Sequence, residues 1–69
     1  MPISFASPME SLTISRIGGS DKIKMHLHNL GFIEGESVMV INKIDDNVII
    51  KLKGVSLAIT NDLAKKIYV

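Results

Sequence analysis

The sequence predicts a mainly β domain: a small barrel of about five short strands, with one short helix and one helical turn. Three observations carry this expectation. Four stretches alternate apolar and polar residues with the two-residue period of a half-buried strand. One stretch, with Ile23, Leu27 and Leu30 at i, i+4 and i+7, repeats apolar residues at helical spacing. The chain has 69 residues and is 46% hydrophobic with only 4% aromatic, which suits one aliphatic core.

The elements follow in order. Pro2 and Pro8 fix φ and disfavour helix in the residues before them, so residues 1–8 read as an extended N-terminal arm, tied down by Ile3 and Phe5. Leu12 and Ile14 alternate with Thr13 and Ser15. Arg16 and Ile17 shift the phase, and Gly18-Gly19 ends the strand. Ser20 is a good N-cap and Asp21 suits the positive end of the following helix. The apolar stripe leaves Lys22, Lys24, His26, His28 and Asn29 on the other helix faces. Gly31 lies just past the last apolar helical position, where a left-handed residue closes a helix at no Cβ cost.

Gly35 supplies a second turn before the next strand. There Val38 and Val40, with Asn42, face one way, and Met39, Ile41 and Lys43 face the other. Asp45-Asp46-Asn47 reads as a hairpin tip. Val48, Ile50 and Leu52 form the next apolar face, Gly54 turns the chain, and Val55, Leu57 and Ile59 form another. Thr60 caps a single helical turn over Asn61-Asp62-Leu63-Ala64, and Ile67 and Val69 make a last short strand. Closing so small a sheet into a barrel leaves few open edges, and an SH3-like barrel is the expected architecture. An OB-fold is the alternative, but it normally needs a longer chain. No repeat, linker or low-complexity tract divides the sequence, so residues 1–69 read as a single domain.

Composition bounds the function. Eight Lys or Arg against seven Asp or Glu give a net charge of +1, too little to steer the chain to nucleic acid or an anionic membrane. Without cysteine, disulfides, thiolate metal sites and a Cys nucleophile are excluded. The mean hydropathy of +0.31 is high for so small a domain and is read in two ways, as apolar side chains left on the surface to mark a partner site or as an ordinary Val/Ile-rich β core. No run approaches the ~20 apolar residues that span a bilayer, and the first residues lack the basic region of a signal peptide. The expected location is the cytoplasm, without membrane insertion.

Candidate chemistry is sparse. His26 and His28 lie two apart on the helix, point in different directions, and lack the third and fourth ligands of a metal site. Asp45, Asp46 and Asn47 lack the spacing and distal Glu of a calcium loop. Gly18-Gly19-Ser20-Asp21-Lys22 lacks the spacing of a phosphate loop and reads as a turn with an N-cap. No Ser or Thr has a His–Asp partner at a recognisable spacing. The expectation is a non-catalytic module with no metal and no cofactor. Lys43, Lys51 and Lys53 could form a positive strip, with Lys51 and Lys53 on one face. A small nucleic-acid-binding β-barrel is therefore the alternative, although Phe5, Phe32 and Tyr68 do not interleave with these lysines. Phe32 and Ile33 are consecutive apolar residues at a sharp turn: either one of them faces outward as an interface anchor, or both pack under the N-terminal arm through Ile3 and Phe5. With Lys24 and His28 as a polar rim nearby, Lys24, His28, Phe32 and Ile33 are the candidate partner-binding residues.

Leu27 with Leu30-Gly31-Phe32, Gly35 with Val38 and Val40, and Leu57-Ala58-Ile59 with Ala64, Ile67 and Val69 together resemble the FeoA family of small cytoplasmic ferrous-iron transport accessory proteins. The resemblance covers Leu12 to Val69. It implies an SH3-like barrel and a partner, the FeoB membrane GTPase-transporter, on whose cytoplasmic region such a protein would dock to modulate iron uptake. It also implies a peripheral position at the inner face of the membrane through that partner. Three positions depart from the family pattern. Met9 follows Pro8 where Gly is common, Glu34 precedes Gly35 where Pro is common, and Thr60 follows Ile59 where a basic residue is frequent.

Overall fold

The computed structural model describes residues 1–69 and has six strands in two antiparallel sheets. These are β1 (Ser11–Thr13), β2 (Arg16–Ile17), β3 (Ser37–Ile44), β4 (Asn47–Leu52), β5 (Val55–Thr60) and β6 (Ile67–Tyr68). The helix α1 spans Asp21–Leu30 and the single turn α2 spans Asn61–Ala64. One sheet runs β1-β3-β4-β5 and the other pairs β2 with β6. The result is the expected mainly β small barrel. All its buried residues are apolar, so no buried charge or amide offsets the hydrophobic stabilisation.

The sixth strand comes from a break in the first. Ile14, which is buried, sits between β1 and β2. Its N–H donates to the Glu36 carbonyl at 2.9 Å and its carbonyl accepts from Gly35 N–H at 2.8 Å. These bonds hold the chain against the Gly35 turn while it passes from one sheet to the other.

The N-terminal residues do not stay extended. Ile3–Phe5 wind into a 3-10 turn that buries Ile3 and, just after it, Ala6. Phe5 points away and is 72% exposed, so Ile3 alone of the two ties the segment down. Pro2 bridges to Tyr68, and Met1 and Val69 exchange hydrogen bonds of 2.9 and 2.8 Å.

β3 departs from strict alternation. Val40 pairs with Ile50, but Asn42 pairs with Ile49, so Ile41 is the extra residue of a bulge. Beyond it the phase inverts. Lys43 sits opposite the buried Val48, on the core side, and its Nζ reaches the Ser4 carbonyl at 2.6 Å. Alternation from Val38 therefore predicts the faces correctly only as far as Val40. The hairpin after β3 is also tighter than a three-residue tip: Asp45-Asp46 makes the turn, with Asp45 at φ +54, and Asn47 already pairs with Ile44.

Candidate partner-docking surface

The end of α1 fixes the geometry of the candidate surface. Ser20 Oγ caps the helix start by accepting from Ile23 N–H at 3.3 Å. At the other end Gly31 has φ +105. Gly31 N–H donates to His28 O at 2.9 Å and Phe32 N–H to Leu27 O at 3.0 Å. This paired closure is the Schellman motif, in which the residue after the glycine folds back over the third residue from the helix end. Leu27 and Phe32 are accordingly both fully buried in one core.

That motif decides which of the two consecutive apolar residues faces outward. Phe32 turns in and offers no surface to a partner, so it leaves the candidate contact set. Ile33 is 42% exposed. Leu30 ends at the helix edge, 37% exposed, so the helix is held by Leu27 and the half-buried Ile23 rather than by Leu27 and Leu30.

A polar pair closes the same corner. His28 Nε2 lies 3.1 Å from Glu34 Oε1, linking the last turn of α1 to the turn before β3, with both side chains about half exposed. The Glu34 carboxyl is held below the usual carboxylate range. The main cause is its hydrogen bond with its own backbone, followed by the bond to His28; the charges of His28 and Lys24 act the same way. Lys24 and His28 are four apart on α1 and so lie on one helix face. Ile33, Leu30, Lys24, His28 and Glu34 thus make an apolar edge beside a polar rim. Glu34 and Leu30 join the candidate residues only through the structure, by the His28 bond and by Leu30's exposure. The apolar residue directly after Gly31 was the signal that Phe32, not Leu30, would complete the core.

The corner also packs on the sheet. A Cβ added at Gly31 would meet Leu52 Cδ2 at 2.9 Å, and Lys53 Nζ lies 3.4 Å from Glu36 Oε1. The β4–β5 turn therefore sits against the corner.

The lysines do not form a strip. Lys43 turns to the Ser4 carbonyl and Lys53 occupies the turn at φ +51 rather than a strand face, leaving Lys51 alone on the outer side of β4. Of the aromatic residues, Phe32 is buried and the Tyr68 ring is covered by Arg16, whose guanidinium carbon lies 4.2 Å from the ring centre. His26 and His28 are exposed, and no three His, Asp or Glu side chains converge. No ligand-sized cavity opens at the surface, and no helix is long and apolar enough to cross a membrane.

A six-stranded barrel closed by its own termini, with an exposed apolar corner at a helix end, defines a small SH3-like module. Its family follows from comparison. The FeoA domain model matches residues 1–69, and the chain belongs to that family. Solved structures agree. A FeoA described as an iron uptake regulatory protein is 25% identical, with 97% of this chain and 91% of that one covered and a TM-score of 0.89. Stenotrophomonas maltophilia FeoA, solved with zinc, is described as a procaryotic SH3 domain protein and a candidate ferrous iron transport activating factor. It is 22% identical, covering 97% of this chain and 86% of that one, with a TM-score of 0.83. A manganese-dependent transcriptional repressor contains the same barrel in 40% of its length, at 11% identity over the whole of this chain and a TM-score of 0.91. No curated protein matches the sequence.

Proposed function

We propose that this chain is a cytoplasmic accessory protein of bacterial ferrous-iron transport, a non-catalytic module that docks on the cytoplasmic region of a FeoB-type transporter and modulates iron uptake. The observation that carries this reading is the family match over residues 1–69. The docking surface is the α1 end and the Gly31–Gly35 corner. Ile33 supplies the apolar anchor, and Lys24, His28 and Glu34 supply a polar rim around it. The Stenotrophomonas relative's description as a transport activating factor supports the same role here. The nucleic-acid reading loses its support because its three lysines are dispersed and its aromatics are covered or remote.

The test is a binding titration against the transporter's purified cytoplasmic region. Ile33→Ser and Lys24→Glu, both at exposed positions, should fold normally and bind more weakly than the parent. Lys51→Glu, on the outer sheet face, should bind like the parent. If the corner variants bind normally while Lys51→Glu fails, docking lies on the sheet.

A further inference from the structure

The longest open edge of the molecule is β5. It is the terminal strand of the larger sheet and pairs only with β4. Beyond the strand end, Asn61 N–H donates to the Asp46 carbonyl at 2.8 Å. That bond sets the parity of the strand. Val55, Leu57 and Ile59 turn their backbone groups toward β4, and Ser56, Ala58 and the N–H of Thr60 turn away, while the Thr60 carbonyl opens α2 as its N-cap. None of these three N–H groups donates to any turn, loop or cap acceptor.

The other edges are blunted. β1 is only three residues long, with Pro8 and Glu10 just ahead of it. β6 has Pro2 bridged to it. β5 has none of the usual guards against edge pairing: its sequence Val-Ser-Leu-Ala-Ile-Thr holds no charge, no proline and no bulge.

We infer that β5 is a pairing edge for a second copy of this chain, aligned antiparallel about a two-fold axis. An antiparallel edge is complementary to itself. Centred on Ala58, it sets Ala58 opposite Ala58, Ser56 opposite Thr60 and Leu57 opposite Ile59 of the second copy, with no like charges opposed. The ends select this occupant. Lys53 precedes the strand and Asp62 follows it, both exposed. Antiparallel pairing brings Lys53 of each copy to the Asp62 end of the other, so two opposite-charge contacts close the ladder. Lys53 already lies near Glu36 within its own chain, but that contact is 61% exposed on the lysine side and an ammonium has three donors.

Sedimentation equilibrium over a wide concentration range tests this. The parent should move from 7.6 kDa toward twice that mass as concentration rises. Ser56→Lys places a charge on the edge and should stay monomeric with unchanged circular dichroism. Ala58→Pro should do the same, because the N–H it removes makes no bond to β4. Lys53→Glu and Asp62→Lys, each alone, oppose like charges at both ends and should lose the dimer. Mixed together they should form a heterodimer. A parent that stays at 7.6 kDa throughout overturns the inference, whether or not its edge captures an extended peptide. So does a folded Ser56→Lys that associates like the parent, or a mixture that associates no more than its separate components.

Discussion

Gly31→Ala measures how far the corner depends on one missing methyl group. Two costs are separable. At φ +105 a side chain strains the backbone by about 1–2 kcal/mol. The new Cβ would also lie 2.9 Å from Leu52 Cδ2, so that buried leucine must leave its rotamer at about 0.5–1.5 kcal/mol. The sum, about 1.5–3.5 kcal/mol, is large against the roughly 3–10 kcal/mol that holds a domain of this size. A loss of about 2.5 kcal/mol lowers Tm by about 10–20 °C in so small a domain. Gly35 provides the control, since its φ is +92 but nothing lies within 4 Å of its added Cβ. Gly35→Ala should therefore cost only the backbone part, about 1–2 kcal/mol. Urea titrations of both variants, repeated in a Leu52→Val background, separate the two costs. Leu52→Val removes the atom that clashes, so the extra cost of Gly31→Ala should disappear there as a coupling of about 0.5–1.5 kcal/mol. If Gly31→Ala costs no more than Gly35→Ala and shows no coupling to Leu52, the close-approach argument is refuted.

Other outcomes follow from the same structure. Leu27→Ala empties a fully buried site and should cost about 2–5 kcal/mol, enough to leave the chain largely unfolded by circular dichroism at 37 °C. Lys53→Asn should raise the urea midpoint by the equivalent of about 0.5 kcal/mol. At concentrations where the chain is monomeric, it relieves a left-handed lysine beside Gly54 at φ +80, in a turn that favours Asn-Gly, while losing only an exposed ion pair. The folded Glu34 carboxyl titrates below its ordinary value of 4.5. Its contribution to stability is therefore complete above that pH and is lost as pH falls through the folded value. The parent and Glu34→Gln should differ at pH 6 and converge in melts taken progressively below pH 4.5.

Much of the fold was legible because it rests on local chemistry. Ser20 and Thr60 are short oxygen-bearing side chains ahead of helical turns, and both cap as their positions require. Gly31 closes α1 because only glycine enters the left-handed region without a Cβ penalty. The alternation of Val48, Ile50 and Leu52 named three core residues because a strand's faces repeat every two residues. The candidate site was half legible. Lys24 and His28 follow from helical spacing, while the sequence left open whether Ile33 is exposed or packs with Phe32 under the N-terminal arm.

Tertiary structure decided the rest, in each case through a partner distant in sequence. The choice between Phe32 and Ile33 was made by the core, which receives Phe32 beside Leu27 once the helix closes. The bulge at Ile41 turned Lys43 from the outer face to Ser4, dissolving a basic strip that the alternation alone supports. The 3-10 turn at Ile3–Phe5 formed because the core buries Ile3 and Ala6 on the same side, which an extended arm cannot do at that spacing. Caps, turns and strand periods are local properties, since each depends on a residue and its near neighbours. Which surface is left for a partner depends on what the barrel has already covered.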